Sequence, residues 1–216
     1  MLIHPWDAAL SEAEWRSFVE ASDRFGILAV PNGLEAPVLL PTHFTLLENE
    51  ILVHFARPNS ALKLIEEAKE VSLILIGDYA FINNQWRAKE GIPKEEGVPT
   101  SYYSAVNFIG NPTVIHDAEG IAEVLRVQMA DFEPEGGHAP IDPAVSPYGP
   151  MLSGIRAVRI QIKRVEAKFK YDDHKPAELR VYVSEQLEKR NEHQDKAAAQ
   201  HQRERLNRIG EWKPQG

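Results

Sequence analysis

Cysteine is absent from all 216 residues. Without a thiol the chain has no disulfide framework, no thiolate nucleophile and no Cys-ligated metal, a composition that fits a reducing compartment. Positive charge is scarce as well: 24 Lys and Arg face 32 Asp and Glu, for a formal charge of −8 and a pI near 5.5. Nucleic-acid affinity rests largely on Lys and Arg displacing condensed counterions, so a partner gripped along a phosphate backbone is not expected. No apolar run reaches the ~18 to 20 residues that span a bilayer. The opening MLIHPWDAALSEAEW lacks the charged start and continuous apolar stretch of a secretory signal. A cytoplasmic protein with no membrane partner is therefore expected. Also missing are G-x-S-x-G, the P-loop and G-x-G-x-x-G, which removes the common hydrolase, NTPase and Rossmann signatures. The eight histidines are scattered, and the His193/His201 spacing on a polar helix is too wide for shared ligation, so no metal site is expected.

What is present is ordinary for a folded soluble chain: 43% apolar and 26% charged residues. The length suits one domain with an appendage, and the composition places the division at residues 1–176 and a polar, helix-prone tail at 177–216. Ser11 and Glu14 have capping-box spacing ahead of an apolar stripe at Trp15, Phe18 and Val19, which predicts a short helix. FGILAV, APVLLP, HFTLL and EILVHFA read as extended segments joined by tight turns. SALKLIEEAKE reads as a helix, and VSLILIGDYAFI as two strand pieces interrupted at Gly77-Asp78.

Residues 84–100, polar and punctuated by Gly and Pro, read as a lid-type loop. SYYSAVNFIGNPTVI resumes the sheet with a bend or bulge at Gly110 to Pro112, and a helix starts from Asp117. Val158, Ile160, Ile162 and Val165 lie against alternating Arg159, Gln161 and Lys163, the period of a half-solvated strand. Many short strands with helices mostly at the ends predict a mostly β fold, an antiparallel barrel with peripheral helices.

The stretch HFARPNSALKLI carries the first candidate chemistry. An apolar strand leaves through Arg57, passes Pro58-Asn59-Ser60 and enters a helix. Free N–H groups at the helix start, a guanidinium fork from Arg57 and a second cation at Lys63 one turn in can seat a phosphate. The plain alternative is that Asn59 caps the helix and Arg57 is solvated. A second gathering, Tyr79, Phe81, Trp86, Lys89, Thr100, Tyr102 and Tyr103, offers flat apolar walls with hydroxyls, which suits a planar ligand or the plugging of a barrel end.

HFARPNSALKLI, GDYAFINNQWRAKEGIP, VPTSYYSAVNFIG and LSGIRAVRIQIKRVEAKFK, in that order over roughly residues 1–180, resemble the PaiB-type FMN-binding negative transcriptional regulators. These lie in the flavin-binding split-barrel superfamily shared with pyridoxamine phosphate oxidases. His54, Ala56, Arg57 and Asn59 match the pattern H-x-A-R-x-N-P, with Ser60 in place of the proline. Pro99, Thr100, Tyr103, Ala105, Val106 and Gly110 match a second motif, in which Ser101, Asn107 and Ile109 replace Trp, His and Tyr.

The resemblance implies an antiparallel six-stranded split barrel with a C-terminal helical extension, assembled as a homodimer with FMN at the subunit interface. It implies that Arg57, Asn59 and Ser60 hold the phosphate, beside the Lys63 cation that the spacing supplies. Pro41, Thr42 and His43 would meet the ring edge, with Trp86, Lys89, Thr100 and Tyr103 completing the pocket, some of them from the second chain; His54 and Ala56, in the matching motif, are further cofactor-binding candidates. The expected function is a flavin-dependent redox or regulatory protein, with no catalytic acid or base identified. A direct DNA-binding repressor is the second expectation, although residues 178–208 carry seven Lys and Arg against six Asp and Glu and show no helix-turn-helix. The third is a haem-binding or haem-degrading split barrel with His43 or His54 as axial ligand.

Overall fold

The computed structural model describes residues 1–88, 91–210 and 212. In chain order the elements are α1 (Glu12–Glu20), β1 (Phe25–Asn32), β2 (Glu35–His43), β3 (Thr45–Leu46), β4 (Glu50–Ala56), α2 (Ala61–Glu67), β5 (Val71–Ile82), β6 (Thr100–Ile115), α3 (Ala118–Phe132), α4 (Tyr148–Leu152), β7 (Ile155–Lys170), α5 (Ala177–Arg190) and α6 (Asp195–Ile209). The strands form one sheet in the order β2-β1-β5-β6-β7-β4-β3. The chain divides into two compact units, and the division falls inside β5, β6 and β7.

The first unit comprises Met1–Phe18, Ile76–Val106 and Glu166–Gly216. Its helices α5 and α6 bury charge rather than a large apolar face. Arg180, Arg205 and Asp173 are almost fully enclosed. Arg205 donates to Asp173 at 2.7 Å and to Glu14 at 2.7 Å, and Arg180 donates to Asp173 at 2.5 Å. Removing charges from water costs several kcal/mol each, so each guanidinium survives there only because carboxylates take its N–H groups. Arg87 and Val98, from the stretch expected to form a lid, are tied down in the same unit. Arg87 donates to both oxygens of Asp172, at 3.0 and 3.1 Å, and to the Val98 carbonyl at 2.6 Å.

The second unit comprises Val19–Leu75 and Asn107–Val165. In β1 the alternation is realised as Leu28 and Val30 buried between more open neighbours. β4 runs antiparallel to β7, with His54 opposite Ala157. α3 starts where the sequence places it, with the Asp117 carboxylate accepting the Gly120 N–H at 2.7 Å. Its Ile121, Ala122 and Val124 pack on Leu52, Ala157, Ile141 and Leu152, each large side chain contributing about 1.5–3 kcal/mol by burial.

Three expectations are corrected. The sheet has seven strands, not six, and it is not closed. The extra strand arises at Phe44, which is fully buried and donates its N–H to the Arg24 carbonyl at 2.9 Å. That plug splits residues 35–46 into β2, paired with β1, and β3, paired with β4. The two edges of the sheet are thus consecutive in the chain, with no ladder between them among the described residues. β5 is continuous through Gly77-Asp78, because Gly77 answers a close approach rather than a turn: a methyl there would overlap Ser104 Oγ and the Phe18 ring. β6 carries the sequence Gly110 to Pro112 within its span, and a methyl at Gly110 would strike the Gln161 carbonyl.

Candidate functional site

In the second unit the ends of β2, β4 and α3 assemble a row of rings. Strand alternation turns Thr42 inward, its hydroxyl donating to the His43 carbonyl at 3.0 Å, and leaves Pro41 and His43 exposed. The His43 ring meets His54 edge-on at 5.4 Å and 72°, and meets Phe132 at 5.2 Å and 78°. The Arg24 guanidinium lies 4.9 Å from the Phe132 ring centre and donates to Asp131 at 2.5 Å. Arg24 Nε and Asp131 Oδ2 are buried without a hydrogen-bond partner. Burial pushes the His43 pKa down, and any positive charge on His54 would push it the same way, so His43 is held toward its neutral form. His54 is pinned from behind: its Nδ1 lies 2.8 Å from Gln128 Oε1, and Gln128 Nε2 donates to the Leu52 carbonyl at 3.2 Å.

Beyond His54, β4 leaves through Ala56 and Arg57. The Arg57 N–H donates to the Gly154 carbonyl at 2.8 Å, and the Ala56 carbonyl accepts the Asn59 N–H at 2.9 Å. Asn59 Oδ1 accepts the Ala61 N–H at 3.0 Å, so Asn59 is the residue that closes the start of α2. Ser60 is exposed, already helical at φ −62° and ψ −23°, and its hydroxyl makes no capping bond. Lys63 points along the helix to Glu67, 3.9 Å away, with both side chains in solvent. The Arg57 side chain is exposed and has no partner among the described residues.

The remaining candidates fall in the first unit. Trp86 sits in a 3-10 turn with the Arg190 guanidinium 4.9 Å from its ring. Thr100 accepts from Lys170 Nζ at 3.0 Å. Tyr103 has Lys168 and Lys170 ammonium groups each 5.7 Å from its ring centre. Thr100 and Tyr103 therefore gather around Lys170, which sequence reasoning did not single out. Lys89 lies outside the described residues.

The same unit holds a polar knot. Asp78 accepts from Tyr171 OH at 2.6 Å and Ser104 Oγ at 2.9 Å, and its Oδ1 lies 3.1 Å from His201 Nδ1. Burial raises the Asp78 pKa, but the bonds from His201 and Tyr171, the His201 charge and the Ser104 bond outweigh it, and the carboxyl stays below its ordinary range.

Gln128, Phe132 and Arg24 were not anticipated. For the first two a signal existed: Ile121, Val124, Gln128 and Phe132 recur at helical spacing, so Gln128 is a polar residue set in an apolar stripe. Arg24 carries no such signal. Among the described residues no group of three or more His, Asp or Glu is placed to share a metal ion, and no helix is long and apolar enough to cross a membrane.

The family model described as "Putative FMN-binding domain" matches residues 1–164. The chain belongs to this family. "Protease synthase and sporulation protein PAI 2" of Bacillus subtilis (strain 168) is 24% identical over 182 residues, covering 82% of this chain and 84% of that protein. Among solved structures, the flavocytochrome Anf3 from Azotobacter vinelandii superposes with a TM-score of 0.57 at 17% identity, over 76% of this chain and 70% of that one. The FAD and heme binding protein from Mycobacterium smegmatis gives 0.57 at 14% identity, over 75% and 72%. At such identities the likeness establishes the fold, that of the flavin-binding split barrels, here with the open seven-stranded sheet.

Proposed function

We propose that the chain is a cytoplasmic, homodimeric FMN-binding protein of the PaiB-like kind with a redox or regulatory role, its flavin-binding domain spanning residues 1–176 and its helical tail 177–216. The observation that carries the reading is Arg57. Every other arginine of the second unit is engaged: Arg24 with Asp131, Arg126 with Glu119, Arg156 with His116, Arg159 with Glu50 and Glu123, and Arg164 with a partner of its own. Among the described residues Arg57 alone of these has a guanidinium without a partner, on a backbone held by the Gly154 carbonyl. A cation fixed at its root and unpaired at its head fits a phosphate dianion that takes two parallel N–H bonds.

In this reading Arg57 receives the phosphate, with the Ser60 hydroxyl and the Asn59 Nδ2 donors as helpers. Pro41, His43, His54 and Ala56 border the ring, and Thr42, turned inward, holds the strand that presents them. FMN, when bound, supplies one- or two-electron transfer, and the residues named bind and orient it. Lys63 contributes only long-range charge, since it lies along Glu67. The proposal rests on the second unit alone; Trp86, Lys89, Thr100 and Tyr103 are not needed for it. Regulation is indirect, because α5 and α6 spend Arg180, Arg190, Arg203 and Arg205 on the chain's own acceptors.

The test is titration of the purified full chain with FMN and with FAD, followed by flavin fluorescence, alongside light scattering for subunit number. Saturable FMN binding at micromolar concentration or tighter, by dimers, is expected. Absence of saturation with either flavin sinks the proposal, and a clear preference for FAD moves the phosphate seat.

One observation favours a second reading. His54 is anchored through Nδ1 while Nε2 has no partner among the described residues, the arrangement that metal-bound histidines adopt. Haem titration of the wild type and of His54→Ala separates the two: a Soret shift present in the first and lost in the second would make His54 an axial ligand.

A further inference from the structure

Both ends of the Gln128 amide are used, and the way they are used fixes a proton elsewhere. Gln128 is 3% exposed, so neither end is satisfied by bulk water. One end lies 3.2 Å from the Leu52 carbonyl oxygen, which only accepts, so that end is the NH2 group. The other end is then the amide oxygen, 2.8 Å from His54 Nδ1. An oxygen at that distance needs a donor, so Nδ1 carries the hydrogen. A neutral imidazole has one ring hydrogen, and Nε2 is left as a bare lone pair. The groups packed around His54 do not use it: His43 meets the ring edge-on, Phe132 lies beyond His43, and no hydrogen bond reaches Nε2 among the described residues.

We propose that Gln128 is a positioning residue that locks His54 in its Nδ1–H tautomer, so that Nε2 accepts a hydrogen bond from an N–H donor on the edge of the bound ring. The last step rests on the flavin reading. An oxidised isoalloxazine ring bears a single N–H, at N3, while its carbonyl oxygens and its other bare ring nitrogens accept. A histidine presenting an acceptor therefore selects that N3 edge. The opposite tautomer would present a donor and favour the carbonyls. Gln128 sets this choice without touching the ligand.

Two measurements on the full chain decide it. Long-range 15N–1H correlation spectra of the flavin-free protein at pH 8.5, with His54 assigned by its loss in His54→Ala, read the tautomer directly. The wild type is expected to show Nδ1–H. Gln128→Leu is expected to lose that preference, and Gln128→Glu, which keeps an oxygen toward Nδ1, to retain it. An Nε2–H wild type, or an unchanged tautomer in Gln128→Leu, overturns the role of Gln128.

The second measurement compares FMN with its N3-methyl derivative, which has no N–H to give. Methylation should weaken binding about three- to tenfold in the wild type, the worth of one ordinary hydrogen bond, and much less in Gln128→Leu. Equal penalties in both proteins overturn the N3 contact. Failure of the wild type to bind FMN at all strikes down the flavin reading instead, and the spectra still decide what Gln128 does.

Discussion

Replacing Arg57 by alanine isolates ligand binding from folding unusually well. The side chain is exposed and bonded to nothing among the described residues, while the contact that fixes the strand exit, Arg57 N–H to Gly154 O at 2.8 Å, belongs to the backbone and persists in the variant. Surface truncation of this kind changes stability by within about 0.5 kcal/mol. A charge-assisted hydrogen bond contributes about 1.5–3 kcal/mol, which converts to roughly ten- to a hundredfold in FMN affinity. Solvent access places the expected loss toward the lower end of that range. Fluorescence titration with FMN and with riboflavin, at low and moderate salt, reads the effect. FMN binding should weaken and lose part of its salt dependence, whereas riboflavin, lacking the phosphate, should bind as to the wild type. Arg57→Lys should recover part of the loss, since a point charge replaces a fork. Wild-type FMN affinity in Arg57→Ala, or an equal loss for riboflavin, refutes the reasoning.

Asn59→Asp keeps the oxygen that accepts the Ala61 N–H at 3.0 Å, so the melting temperature should hold. The new negative charge beside Arg57 should still cut FMN affinity by about tenfold, from a loss on the order of 1.4 kcal/mol, and unchanged affinity would remove Asn59 from the phosphate's surroundings. Arg205→Ala strands Asp173 and Glu14 without their shared cation. Breaking a buried pair from one side costs about 3–5 kcal/mol, a fall of roughly 6–20 °C in a chain of this size, and a change under about 2 °C would refute the claim that these charges depend on it. Asp78→Asn tests the sign of a pH effect. The folded Asp78 carboxyl sits below its ordinary range, so its stabilisation is complete above the unfolded carboxylate range and vanishes as pH falls through the lower folded value. Denaturant unfolding from pH 7 down to pH 3 should show the variant weaker at neutral pH and flatter through the acid limb; an identical profile would exclude Asp78 as a source of acid sensitivity.

The strands were legible where burial alternates or runs continuous over a short stretch, as in β1 and β4, and the capped start of α3 was legible at Asp117. Strand number was not, because it turns on one residue. APVLLP and HFTLL read as two extended segments, but nothing local says that Phe44 plugs the core and sends its two sides to opposite edges of the sheet. Gly77-Asp78 looked like a break because glycine before aspartate is a turn signal. The glycine is there for the Phe18 ring and Ser104, a long-range demand invisible in the local pattern. The C-terminal helices were legible as helices but not as buried ones, since their enclosed side chains include Arg180 and Arg205, and the acid that meets Arg205 is Glu14, 191 residues earlier. A reading by hydropathy places such arginines in solvent.

The HFARPNSALKLI stretch separates once its local alternatives are followed one at a time. Asn59 has a local task and performs it, accepting the Ala61 N–H. Lys63 has a carboxylate four residues on and lies along it. Ser60 has neither a cap to make nor a charge to offer. His54 is engaged from α3 by Gln128, a residue whose only trace in the sequence is a polar interruption of an apolar stripe. Arg57 is the one member of the stretch for which neither the neighbouring turns nor the surrounding elements of its unit provide a counter-charge. A free guanidinium in a family of FMN-binding domains is informative because no acceptor among the described residues takes it. The spacing of the motif alone could not supply that, since an arginine before a capped helix is common and only its unpaired state separates a binding residue from a solvated one.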